Sequence, residues 1–158
     1  MPDNPLHLLL HPRSIAIAGA SNNPMKMGTL QALAILKDGW QGKFYPIHPS
    51  EKSVLGHRAW ASPLDLPETP DLALLVVPTA AVVPLLEDFA AVGTKRAIVI
   101  SAGFREAGGE GRRLEERIKE ICAASGMRLL GPNCMGIVNT AISLNVTVAA
   151  MEARPGSL

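Results

Sequence analysis

The chain has 158 residues, 47% hydrophobic and 4% aromatic, with 15 Lys and Arg against 14 Asp and Glu for a net charge of +1. That content suits one core of ordinary size, and one domain is the default reading. Balanced charge without a basic stripe and interleaved aromatics excludes a general nucleic-acid binder, and no apolar run approaches the roughly 20 residues that cross a bilayer.

The first apolar run of strand length is Ser14–Ala18. It leads into Gly19-Ala-Ser-Asn-Asn-Pro-Met-Lys26-Met-Gly28, and a helix is predicted over Thr29–Asp38 with Gly39 as its stop. A second strand is predicted at Lys43–Ile47. The connection from Pro49 to Pro70 is irregular, with room for a short strand and one helical turn. A strand at Asp71–Val77 precedes a helix after Pro78 that ends near Val92. Pro84 argues that its regular part begins near Ala81. A strand at Arg96–Ile100, a helix at Glu110–Ala124 and a strand at Met127–Leu130 follow, then short strands at Ile137–Asn139 and Ser143–Val146. Arg154–Leu158 has linker chemistry, so residues 1–153 are expected to form the domain and 154–158 to begin a linker to a second, absent domain.

Nearly continuous Ala, Val, Ile and Leu in strands that alternate with helices indicate parallel strands covered on both faces. The predicted fold class is α/β, a Rossmann-like doubly wound parallel sheet of order 3-2-1-4-5. The N-terminus lacks the regions of a signal peptide. Cys122 and Cys134 give neither a disulfide framework nor metal spacing, so a reduced, cytoplasmic setting is expected.

In such sheets ligands bind beyond the carboxyl ends of the strands, which ranks five loops. In the first, Gly19, Ala20, Ser21 and Asn22 are small or hydrogen-bonding, Lys26 adds a charge and Gly28 permits close helix packing. Unpaired amides and a helix N-terminus at one point suit a diphosphate. The pattern is neither G-x-G-x-x-G nor a P-loop. A plain strand-to-helix turn with a solvated lysine is the competing reading.

An NAD-binding unit carries an acid at the end of its second strand. Here the sequence is Pro46-Ile-His-Pro-Ser-Glu-Lys52, and Glu51 comes too late, inside a turn. His48 and Lys52 offer donors and positive charge suited to a phosphate on a ribose, although His48 reads more readily as structural and Lys52 equally well as a solvated lysine. Val77 and Pro78 either pack on an adenine face or simply end a strand. Ser101-Ala-Gly-Phe-Arg-Glu-Ala-Gly-Gly109 has accessible backbone, and Arg105 and Glu106 are candidates to pair with each other. In Gly131-Pro-Asn-Cys-Met-Gly136, Asn133 offers a donor and an acceptor. Cys134 has no base placed for it and reads as a small residue in a tight turn, so no catalytic residue and no metal ligand is assigned.

Read in order, His11–Ser21, Tyr45–Pro49, Val54-Leu-Gly56, Asp71–Pro78, Ser101-Ala-Gly-Phe104 and Gly131-Pro-Asn-Cys-Met-Gly136 resemble the CoA-binding domain of the NDP-forming acyl-CoA synthetases. That family shares its architecture with the succinyl-CoA synthetase alpha subunit. The resemblance implies a site for coenzyme A or acyl-CoA. Gly19, Ser21, Lys26 and Gly28 would take phosphate, Lys52 would face the ribose phosphate, and Val77 and Pro78 would border the nucleotide. Ser101, Gly103 and Phe104 would line the pantetheine path, with Asn133 and Cys134 near the thiol. It also implies partner domains, one with a phosphohistidine and one an ATP-grasp unit. None of His7, His11, His48 and His57 matches the phosphorylated position, so the chain alone is expected not to complete catalysis. A stand-alone CoA-responsive regulator and, with less support, an NAD(P)-binding oxidoreductase fragment are the alternatives.

Overall fold

The computed structural model describes residue 4, residues 6–37 and 39–147, and residues 154–156. Its elements in chain order are α1 (His7–Leu10), β1 (Ser14–Ala18), α2 (Met27–Lys37), β2 (Lys43–Ile47), β3 (Ser53–Val54), β4 (His57–Arg58), β5 (Leu72–Leu75), α3 (Thr79–Ala91), β6 (Arg96–Val99), α4 (Gly109–Ser125), β7 (Arg128–Leu130), β8 (Gly136–Asn139) and β9 (Leu144–Thr147). Five of the strands form one sheet, ordered β2-β1-β5-β6-β7, and every pair in it is parallel. The doubly wound class follows from the sequence as expected. The short strands expected at Ile137–Asn139 and Ser143–Val146 are β8 and β9, paired as an antiparallel hairpin; residues 148–153 and the last two residues of the expected linker lie outside the described part.

The strand order needs correction. Numbered as the sequence predicts them, the five strands lie 2-1-3-4-5, because the third (β5) sits beside β1 and not beyond β2. All four residues of β5 are buried, and a strand of that kind belongs in the middle of a sheet covered on both faces. β2 begins on the exposed Lys43, as befits an edge. On its outer side Trp60 forms an isolated parallel bridge to Ile47. The short strand expected in the connection is the two-residue hairpin β3–β4, and the helical turn is Pro63–Asp65, with Ser62 accepting the Leu64 amide at 3.1 Å. The third helix begins at Thr79, two residues before the expected start, and holds Pro84 in its second turn. Pro84 has no N–H for the Ala80 carbonyl one turn earlier.

Side-chain alternation splits the core into two layers. Ile15, Ile17, Leu72, Leu74 and Ile98 face one way and pack with Ala32 and Ile35 of α2 and Leu144 and Val146 of β9. Ala16, Ala18, Ala73, Ala97 and Val99 face the other way and pack with Val82, Leu86 and Phe89 of α3 and Ile118 and Ile121 of α4. The alanines on this second face leave room for the bulky helix residues, chiefly Phe89.

At the amino edge of the sheet Arg13 grips Asp71 through Nε and Nη2 at 2.9 and 3.1 Å, and its amide donates to the same carboxylate at 2.9 Å. Burial pushes the Asp71 carboxyl up, but the hydrogen bonds and charge of Arg13 outweigh it, and the net direction is below the ordinary value of 3.8. A carboxyl depressed by folding adds stability above its unfolded value and loses it as pH falls through the folded one. Asp71→Asn is therefore expected to flatten the fall in urea-denaturation midpoint below about pH 4. An acid limb as steep as in the unaltered chain would remove this pair from the account.

Candidate functional site

β1 feeds α2 on one face of the sheet and β5 feeds α3 on the other, so the topological switch lies between these two strands. A cleft of about 720 Å³ opens there. Its mouth is Gly19, Lys26, Met27 and Gly28; one wall is Ile47, His48, Pro49 and Ala61; the other is Val76, Val77, Pro78, Ala81, Pro84, Leu85 and Asp88.

The glycines at the mouth are dictated by contact. Gly19 has φ +107°, and a Cβ there would meet the Val76 carbonyl oxygen at 2.0 Å. A Cβ on Gly28 would stand 2.4 Å from the Gly19 oxygen. The end of β1 and the start of α2 are thus held nearly in backbone contact.

Most amides of this loop are already used. Ser21 N–H donates to Thr29 Oγ1 at 3.1 Å, Asn23 N–H to Ser21 Oγ at 3.2 Å, and Lys26 N–H to the Asn23 carbonyl at 3.2 Å. Ala20 is fully buried and Ser21 almost so. Asn22 stitches the first loop to the second: its amide and side-chain nitrogen donate to Glu51, Nδ2 also donates to the Ser53 carbonyl at 2.8 Å, and Oδ1 accepts from the Leu55 amide at 3.0 Å. The N–H groups of Met27 and Gly28, the first two of α2, have no hydrogen-bond partner among the described residues. Both residues line the cleft, at the positive end of the α2 helix.

The Glu51 carboxylate is engaged by the amide and side chain of Asn22. His48 Nδ1 accepts the Glu51 amide at 2.9 Å and the Ser50 amide at 3.3 Å, so its ring both braces the turn and lines the cleft. Lys26 and Lys52 carry no acidic partner among the described residues. Lys26 stands at the mouth; Lys52 lies on the second loop outside the cleft wall.

The fourth and fifth loops adjoin this cleft without lining it. Ser101 Oγ donates to the Val77 carbonyl at 2.6 Å and accepts its amide at 3.1 Å, tying the third loop to the fourth. Gly103 has φ +97°, and its amide donates to Glu106 at 2.7 Å. Phe104 is fully buried in the α3–α4 layer, so its aromatic ring is a core group and only its backbone can border a ligand path. Arg105 pairs with Glu115 of α4 at 2.8 Å and not with Glu106. Both residues lie in a 3₁₀ turn, where successive side chains point about 120° apart. Glu106 accepts from Gly103 and from Asn133 Nδ2, at 3.2 Å, and the backbone donors, Gly103 first, hold its carboxyl below the ordinary range. Asn133 adopts φ +55° and donates its amide to the Ser101 carbonyl at 3.0 Å. The Cys134 thiol lies 3.4 Å from the Val99 carbonyl, and burial pushes it up, so it is held as a neutral donor.

The sequence reading missed the Met27 amide and the α3 wall. Ala81, Leu85 and Asp88 recur at helical spacing, but the spacing alone does not say which face meets an open cleft.

A protein family described as a CoA binding domain matches residues 13–140, a span that contains all five loops. The chain belongs to this family. The alpha subunit of acetate–CoA ligase [ADP-forming] II from Pyrococcus furiosus is 42% identical over 149 residues, covering 94% of this chain and 32% of that protein. Acetate–CoA ligase [ADP-forming] from Methanocaldococcus jannaschii is 42% identical over 156 residues, 99% of this chain and 22% of the relative. The solved structure of Ca. Korarchaeum cryptofilum dinucleotide forming acetyl-coenzyme A synthetase 1, in complex with phosphate and ADP, superposes with a TM-score of 0.91 at 35% identity over 99% of this chain and 33% of that one. The chain thus spans between a fifth and a third of these relatives. Among the described residues no helix is long and apolar enough to cross a membrane.

Proposed function

We propose that this CoA-binding family member binds coenzyme A or acyl-CoA as the nucleotide-binding module of an ADP-forming acyl-CoA synthetase. The observation that carries this reading is the cleft at the β1/β5 switch, with two uncommitted amides and Lys26 at its mouth. The diphosphate lies on the Met27 and Gly28 amides, where Gly19 lets the loop approach. Val77 and Pro78 border the nucleotide, and Lys52 faces the ribose phosphate. The pantetheine arm runs past Ser101, Gly103 and the Phe104 backbone toward Asn133 and Cys134.

Within the synthetase reaction, acid, CoA and ATP give acyl-CoA, ADP and phosphate. This module holds and aims the thiol, and the bond changes belong to partner domains carrying the phosphohistidine and the ATP site. Cys134 donates to carbonyls, so the incoming thiol, and not the protein's own, is the nucleophile.

Calorimetry with CoA, dephospho-CoA and NAD tests the reading. CoA is expected to bind most tightly; NAD binding as tightly as CoA overturns it. Lys52→Ala is expected to weaken CoA about 10- to 100-fold and leave dephospho-CoA nearly unchanged, because one charge-assisted contact contributes roughly 1.5–3 kcal/mol. Equal losses for the two ligands would take Lys52 away from the 3′-phosphate.

A further inference from the structure

The cleft is chemically lopsided. Its mouth holds uncommitted amides and the positive start of α2, with Lys26 beside them. Apart from His48 its walls are largely apolar, with Ile47, Pro49 and Ala61 on one and Ala81 and Leu85 on the other. Late in α3 stands Asp88, the single acidic residue of the lining. Asp88 lies seven positions after Ala81 on α3, roughly 10 Å farther along the helix at about 1.5 Å of rise per residue. The α3 wall is thus long enough to accompany a ribose and a base.

Ser62 Oγ lies 3.4 Å from Asp88 Oδ2, and Oδ1 has no hydrogen-bond partner among the described residues. A carboxylate in a largely apolar slot repels phosphate and accepts hydrogen bonds only. It therefore asks for a flat apolar group with a donor at its far edge.

We propose that Asp88 is a specificity residue that accepts a hydrogen bond from the exocyclic amine of the adenine of CoA. The inference rests on the CoA reading and adds the choice of base to it. The slot walls take the two faces of the ring without selecting among purines. The carboxylate does the selecting, since a base without the amine leaves Oδ1 desolvated and unpaired.

The test is calorimetric binding of CoA and of a CoA analogue carrying purine, which lacks the amine, in place of adenine. Three proteins are compared: the unaltered chain, Asp88→Ala and Asp88→Asn. The unaltered chain is expected to prefer CoA by about tenfold or more, the size of one lost hydrogen bond to a charged group. In Asp88→Ala the two ligands should bind within about twofold of each other, because the acceptor is gone. Asp88→Asn keeps the shape and an uncharged acceptor, and an intermediate preference is expected. Thermal melting confirms that each variant is folded, and Asp88→Asn serves if the alanine variant is not. Equal binding of both ligands by the unaltered chain, or an undiminished preference in the folded variants, overturns the role of Asp88 and leaves the CoA reading standing. No binding of CoA by the unaltered chain removes both.

Discussion

Gly19→Ala is expected to lower the stability of this domain by roughly 3–5 kcal/mol, among the largest effects of any single substitution in it. Two costs add. The residue sits at φ +107°, which an L side chain rarely adopts, and the new methyl would lie 2.0 Å from the backbone oxygen of Val76. Backbone cannot swing aside as a flexible side chain can, so β1 and β5 must separate at their carboxyl ends. Gly39→Ala is the control: φ is +85° there, but nothing lies within 4 Å, and only the conformational cost of about 1–2 kcal/mol is expected. Urea denaturation of both variants separates strain from collision. Equal losses would show that close approach at Gly19 contributes nothing. The same substitution should abolish CoA binding even where the chain stays folded, since Gly28 and its amide are placed by contact with Gly19.

Phe104→Ala is the second large effect, an expected loss of about 3–5 kcal/mol. The side chain is fully buried in the layer between the sheet and α3 and α4. Its backbone is equally constrained, for a Cβ on Gly111 of α4 would meet the Phe104 oxygen at 1.9 Å. Phe104→Leu keeps most of the volume, and a cost below about 1.5 kcal/mol is expected. Its affinity for CoA should stay within about twofold of the unaltered chain, because the ring faces the core and only the main chain borders the pantetheine path. A folded Phe104→Leu protein that loses CoA binding would instead put the ring in that path. The pair of substitutions thus separates a residue that builds the loop from one that touches the ligand, a distinction that the motif Ser101-Ala-Gly-Phe104 conceals.

The five main strands, the three long helices and their glycine stops were legible in the sequence because they follow from local chemistry. Apolar runs of strand length, 3.6-residue spacing and residues free to take positive φ act over a few positions, and Gly39, Gly93 and Gly126 do lie at φ +85°, +88° and +71°. The family was legible for a related reason: its loop motifs are short and keep their order. The place of β5 was decided by the tertiary structure, since whether a strand lies beyond β2 or beside β1 depends on which edges remain to be buried. So was the division of labour in the first loop. Ser21 and Asn22 have the chemistry of phosphate contacts, yet in the fold they bond to Thr29, Glu51 and Ser53 and leave the Met27 and Gly28 amides uncommitted. A sequence states which groups can form hydrogen bonds. Only the packed chain determines which of them are already satisfied, because their partners here stand up to 33 residues away.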